Sequence, residues 1–431
     1  VSWLILALWL VTPLFCAKAV AEEEEFSFET AEFKKKPYEI GGYVELLPEF
    51  QYFNTEGALY ELNFAGTDEQ TTVLSTNSYE LTGLLRYGMA TFSTTVHGEL
   101  LVDREGTDEG TELFESFISL KPNASATVEA GKRSLQWGKG IAWNPVGFIQ
   151  RPKDPNDPTL SREGFLMALG DFIKTFEGPL RTVAFTPVVV PTYWENLEFG
   201  ERDHLNPAAK LYLLYRDIDI DLMFLGEGSR TARYGFDFST NLATNFEIHG
   251  EFAYITDVQK NFVDPTGKRL TETEDEVSYL LGLRYLTEEE VTFIAEYYHD
   301  GTNFSQTQAE DFFSFVHTAT DTFERTGNET DLNRARGLRQ RGFGRANLMQ
   351  DYLYLRVSVK EPFDILYFTP SIFSIVNLND GSFSITPELV YQGINNLELR
   401  FRAPILVGDP LTEYGERQNE FRLELRVRYF F

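Results

Sequence analysis

The chain has 431 residues, 66 of them acidic and 38 basic, and a formal charge of −28, a balance that repels a phosphate backbone and excludes nucleic acid as a partner. Its one cysteine, Cys16, excludes a disulfide framework. The mean hydropathy is −0.26, and no stretch after residue 21 is apolar for 18 residues, which excludes helical membrane spans but not amphipathic strands, whose polar face dilutes every window.

The amino-terminal end is of different material from the rest. Trp3 to Phe15 is almost wholly apolar and Ala19-Val20-Ala21 supplies a small-x-small cleavage box, so residues 1–21 read as a secretory signal peptide. A run of about 13 apolar residues is short for a transmembrane anchor. Cys16 follows Phe15, whereas a lipidated cysteine is expected after a small residue. Cleavage after Ala21 leaves a chain without cysteine and a charge of roughly −29, the −28 of the whole less Lys18. Residues 22–37, with Glu22 to Glu25 and Lys34 to Lys36, read as a solvated periplasmic leader.

From Tyr38 onward the apolar residues recur with a period of two. Tyr79, Leu81, Leu85 and Tyr87 oppose Glu80, Thr82 and Arg86; Ile218, Ile220, Leu222 and Phe224 oppose Asp217, Asp219 and Asp221. Phe246, Ile248, Phe252 and Tyr254 oppose Glu247, His249 and Glu251, and Leu353, Leu355, Val357 and Val359 oppose Arg356 and Ser358. Each such segment is a strand with one apolar and one charged face. Aromatic residues gather at the strand ends, as interfacial girdles require.

The connections separate a membrane barrel from a sandwich. Long ones are expected at 54–72, 103–110, 134–163, 191–206, 256–276, 300–346 and 404–417, with shorter ones at 226–230 and near Asn379-Asp380-Gly381. Between them fall tight turns near Gly88, Lys121 to Asn123, Glu177 to Pro179, Arg216-Asp217, Leu242 to Thr244, Thr287 to Glu289, Glu361-Pro362 and Asn395. Short turns alternating with long loops are the rhythm of a transmembrane antiparallel β-barrel, here of about 18 strands with 16 as the alternative. The fold class is therefore all-β, with residues 38–431 as one barrel domain. The two segments between Glu163 and Val190 alternate poorly and are open to a helical or inward-folded reading.

Gly131 to Gly164 holds several prolines that forbid regular structure, yet Trp137, Trp143 and Phe148 are costly to leave in water, so this loop is expected to be packed. Asp154 and Asp157 are too few for a calcium site and read as turn residues beside Pro155 and Pro158. In Tyr297-Tyr298-His299-Asp300, with Ser305 nearby, the histidine reads as a rim residue at headgroup level rather than a hydrolase base. Arg334, Arg336, Arg339, Arg341 and Arg345 form a basic run in the longest loop, either a solvated stretch or a mouth that attracts anionic solutes or lipopolysaccharide phosphates.

The final strand places Phe421, Leu423, Leu425, Val427, Tyr429 and Phe431 on one face and Arg422, Glu424, Arg426 and Arg428 on the other. It resembles the C-terminal signature of Gram-negative outer-membrane proteins, a resemblance that makes Tyr429 and Phe431 an assembly signal for the barrel-assembly machinery. Gly131 to Pro158, with its Trp-Gly motif, resembles porin-like barrels of the alginate-export kind, and its place after strand five is where general porins fold a loop into the lumen.

The reading is a non-enzymatic outer-membrane channel for passive passage of small hydrophilic solutes, with no cofactor or metal, set among outer-membrane lipid and lipopolysaccharide. The alternatives are an export conduit for an anionic polysaccharide, which predicts periplasmic partners, and a plugged structural or adhesin barrel; a general porin predicts a homotrimer. Arg400, Arg402, Arg422, Arg426 and Arg428 are expected on one lumen wall, opposed across the barrel by Asp217, Asp219 and Asp221. The loop bearing Trp137, Lys139, Trp143, Arg151 and Asp154 is expected to narrow the gap, while the alternative has the arginines pairing with loop carboxylates and filling the interior.

Overall fold

The structure, a computed structural model, describes residues 36–104, 106–193 and 195–431. The expected signal peptide and nearly all of the leader lie outside the described residues. Twenty strand segments form one closed antiparallel sheet of 18 wall strands. They are β1 (Tyr38–Leu46, resuming as Pro48–Phe53), β2 (Thr71–Tyr87), β3 (Ala90–Val102), β4 (Thr107–Asn123), β5 (Ala126–Arg133) and β6 (Phe165–Thr175). Then come β7 (Leu180–Pro191), β8 (Leu205–Tyr215), β9 (Ile218–Leu225), β10 (Arg233–Ala243), β11 (Phe246–Val263) and β12 (Arg269–Leu286). The circuit ends with β13 (Val291–Asp300), β14 (Asp351–Val359), β15 (Phe368–Asn377), β16 (Phe383–Ile394), β17 (Leu397–Arg402, resuming as Ile405–Val407) and β18 (Asn419–Phe430).

β18 pairs with β1 and closes the sheet, so no edge is left to bind another chain. The seam includes Phe431, whose N–H donates to the Gly42 carbonyl at 3.1 Å while the Gly42 N–H donates to the Phe431 carbonyl at 3.2 Å. The break in β17 falls at Ala403-Pro404, where proline has no N–H for the ladder, although the Pro404 carbonyl still accepts from the Arg422 N–H at 2.9 Å.

The wall is inverted relative to a water-soluble protein. Leu222, Phe236, Leu281, Leu283, Leu355, Leu389, Leu423 and Leu425 are exposed on its outer face. Asp221, Asp237, His249, Glu251, Glu296, Glu388, Arg402 and Arg426 are buried on the inner one. Apolar-out alternation of this kind is stable only where the outside is hydrocarbon. Both segments between Glu163 and Val190 are regular strands, β6 and β7, because pairing with β5 and β8 supplies the ladder that their weak alternation does not advertise.

Most turns fall near where the sequence places them, but the long connection expected at 256–276 is mostly strand, since β11 runs to Val263 and β12 starts at Arg269, and other long connections hold more structure than an irregular loop. α1 (Ala58–Phe64) lies in the first, and α2 (Gln306–Thr326) and α3 (Thr330–Leu338) lie in the longest. α2 opens on a reciprocal capping box between Ser305 and Gln308 and stops at Gly327 in the left-handed region with φ 70°. Phe304, Phe312, Phe313, Phe343 and Leu348 from this connection form an apolar core with Tyr352, Tyr354 and Phe373 of the β14–β15 wall.

Candidate constriction site

The connection between β5 and β6, residues 134–164, is anchored to the wall by its backbone. Glu251 of β11 accepts the N–H groups of Lys139 at 2.6 Å and Gly140 at 2.5 Å. Glu296 of β13 accepts the Ala142 N–H at 2.8 Å and is itself held by His249 Nε2 at 2.8 Å. Gly138 makes this approach possible, since its φ is 98° and a Cβ there would lie 2.6 Å from the Glu251 carboxylate. Buried wall carboxylates thus find the hydrogen-bond donors that burial demands of them.

Packing then fixes the loop's path. Trp137, Val146, Phe148 and Ile149 are buried against Met167, Leu169, Val188 and Leu225 of β6, β7 and β9. Trp143 stacks on Tyr298 with ring centroids 5.0 Å apart, and its indole N–H donates to Asn347 Oδ1 at 2.9 Å. Burying three large aromatics removes several kcal/mol of exposed apolar surface, which is why a proline-rich loop holds one course.

The far end of the loop meets the arginine wall through Asp157. In the register of β17 and β18, Arg400 stands directly opposite Arg426, Arg402 opposite Glu424 and Glu398 opposite Arg428. Like charges in directly opposed positions repel. Asp157 takes Arg426 Nη1 at 2.7 Å, Arg400 Nη1 at 3.3 Å and Arg402 Nη2 at 3.4 Å. Burial works against its charge, but the guanidiniums of Arg402, Arg426 and Arg400 win and hold its carboxyl well below the usual carboxylate range. Glu388 of β16 adds a contact to Arg402 at 2.6 Å, and Glu45 of β1 takes Arg428 at 2.6 Å.

The residues expected at the constriction are therefore divided. Arg400, Arg402 and Arg426 converge on the loop; Arg428 turns to Glu45, and Arg422 to Glu424 at 3.2 Å. Lys139 reaches Asp221 at 3.0 Å and Asp237 at 3.9 Å on the opposite wall, so one loop is held by charge at both ends. Asp219 accepts from Tyr212 on the neighbouring strand, and Arg151 pairs with Glu163 and Glu198. Two expectations are corrected. Asp217 does not stand on the lumen wall: it is the second residue of the two-residue β8–β9 turn, with φ 67°, and pairs with Arg181 at 2.8 Å. Asp154 does not face the arginines: it is exposed and accepts the Asn156 N–H in a local turn, while Asp157, three residues on, is carried inward. Glu45 and Glu388 were missed: Glu388 stands opposite Arg402 in the β16–β17 hairpin, a signal its register carries, whereas Glu45 meets Arg428 only across the β18–β1 seam.

Space remains between the loop and the β2–β5 wall. A cavity of about 530 Å³ there is lined by Glu80, Thr95 and Glu115 of the wall and by Gln136, Thr159 and Arg162 of the loop. His299 lies apart from it, its Nδ1 2.9 Å from Asp351 Oδ1, stacked on Tyr279; the nearby Ser305 hydroxyl caps α2. Among the described residues no three His, Cys, Asp or Glu side chains are grouped to hold a metal ion.

An 18-strand barrel with a loop turned into its lumen after β5 is the fold of porin-like outer-membrane barrels. Among solved structures the chain is similar to OccK5 (OpdH) of Pseudomonas aeruginosa, with 12% identity and a TM-score of 0.51 over 91% of this chain and 98% of that one. It also matches a triple mutant of the Rhodopseudomonas blastica porin, with 11% identity and a TM-score of 0.45 over 91% of this chain and 100% of that one. No protein-family model and no curated protein matches the chain.

Proposed function

We propose that the protein is a bacterial outer-membrane channel for passive passage of small hydrophilic solutes, with residues 134–164 as its constriction. The observation that carries this reading is the double attachment of that loop, through Lys139 to Asp221 and through Asp157 to Arg400, Arg402 and Arg426. A strap held at both ends divides the lumen into cavities of hundreds of cubic ångströms, a scale for small solutes rather than for a polymer in transit. The passage beside Glu80, Glu115 and Arg162 is lined by charged groups that water and hydrated solutes tolerate.

The test is single-channel conductance and reversal potential of the purified protein in a planar bilayer. The reading expects stable conductance with a solute-size cutoff. A protein that inserts, shows heat-modifiable mobility and conducts nothing is a plugged barrel, and the proposal fails.

A further inference from the structure

On the other side of the inward loop lies a cavity of about 500 Å³, bounded by the loop, β10 to β13 and the longest connection. Six of its lining residues are Arg151, Arg230, Arg233 and Arg345, whose guanidiniums are of the kind that read carboxylates and phosphates, and Asn144 and Gln150, whose amides donate to Glu251 and to the Trp137 carbonyl. Four of them are arginines, in a chain with 66 acidic and 38 basic residues. Carboxylates are abundant, yet among the described residues Arg230, Arg233 and Arg345 have none within ion-pair distance.

Arg151 is paired with Glu163 and Glu198, while Arg230 and Arg345 are held by neutral groups. Arg230 donates Nη1 to the Phe148 carbonyl at 3.0 Å and bonds the Phe199 carbonyl through Nε, with its guanidinium 3.9 Å above the Phe199 ring. Arg345 donates to Asn303 Oδ1 at 2.9 Å. Arg233 and Arg151 each keep a buried Nε without a partner. Burial, with Arg233 alongside, pushes the Arg230 guanidinium down to about 9. Unpaired charge in a partly dry site is costly, and a bound anion is what relieves it. Of the two acids in the lining, Asp300 acts on Arg233 only from beyond ion-pair distance and is hydrogen-bonded by Ser278, Tyr298 and Thr302, and Asp257 is exposed.

We infer that this chamber is a binding subsite for a small solute carrying a carboxylate or phosphate group, held by Arg230, Arg233 and Arg345 with Arg151 beside them, before it reaches the constriction. The inference rests on the channel reading for its place in a transport path, but binding itself needs no conductance.

Calorimetric titration of the purified full-length chain in detergent tests it, with succinate and inorganic phosphate as separate probes and succinamide as the uncharged isostere. The expected result is saturable binding of succinate, phosphate or both, no binding of succinamide, and a loss of at least about tenfold in affinity in Arg233→Gln and Arg230→Gln. Arg86→Gln, at the short-turn end beside Glu39, should bind as the parent does. If Arg233→Gln does not fold, judged by heat-modifiable mobility, Arg345→Gln replaces it. Failure of both anions to bind, equal affinity for succinamide, or unchanged affinity in the folded arginine variants overturns the inference. A chain that conducts without binding these anions refutes only the subsite; one that binds them without conducting refutes only the channel.

Discussion

Arg426 and Asp157 are 269 residues apart in the chain, and their side chains meet at 2.7 Å inside the barrel. The contact joins the last wall strand to the loop that follows the fifth, and it lies where Arg400 faces Arg426. Loop and wall are therefore one electrostatic unit.

Removing that carboxylate should free the loop's far end. Breaking a buried ion pair from one side costs about 3 to 5 kcal/mol because the partner charges stay behind. Asp157→Asn is expected to raise single-channel conductance and move the reversal potential toward anions, since Arg400, Arg402 and Arg426 lose the carboxylate they share and keep only Glu398, Glu388 and Glu45. Asp154→Asn, in an exposed turn, should leave both readings unchanged; planar-bilayer recordings of the pair separate the two positions.

The outer face and the lumen should respond oppositely to charge. Leu355 is exposed on the lipid side, so Leu355→Arg is expected to destabilise the barrel by about 2 to 4 kcal/mol if it sits at the midplane. The inward position three residues on, Ser358→Arg, should be mild. Urea unfolding in lipid vesicles reads both; equal losses would mean that the strand has no wet face.

Closure depends on the seam between β18 and β1. Deleting Phe431 removes both main-chain bonds to Gly42 and should lower the yield of heat-modifiable barrel in the outer membrane well below that of Leu160→Ser, a change on the exposed part of the loop. Normal yield from the truncated chain would show that the seam is not limiting.

The helical connection should loosen with alkali. His317 of α2 lies 3.0 Å from Glu61 of α1 and 3.1 Å from Glu416, and hydrogen bonds to these carboxylates raise it to about 10 from an ordinary 6.5. A raised value means that the folded state favours the proton. The stabilisation is therefore complete below about pH 6.5 and fades as pH rises toward 10. Proteolysis between α2 and α3 should accelerate across that window in the parent and show a flat pH profile in His317→Asn.

The sequence by itself determined the parity of the wall, its 18 strands and the order of short turns and long connections, because a period of two and the proline and glycine punctuation are local properties. It also marked residues 134–164 as packed, since three aromatics in a loop need cover. It carried the start and stop of α2 in Ser305, Gln308 and Gly327, within a stretch expected only as a long connection. What only the tertiary structure decided is which charges meet. Asp154 and Asp157 look alike in sequence, and the turn between them sends one to water and the other to Arg426. Glu388 meets Arg402 within the β16–β17 hairpin, but Glu45 and Asp157 come from distant segments and are partners for the arginines only once the barrel closes and sets β1 beside β18. Electrostatic pairing falls steeply with distance in a partly dry interior, and those distances belong to the closed sheet rather than to any stretch of chain.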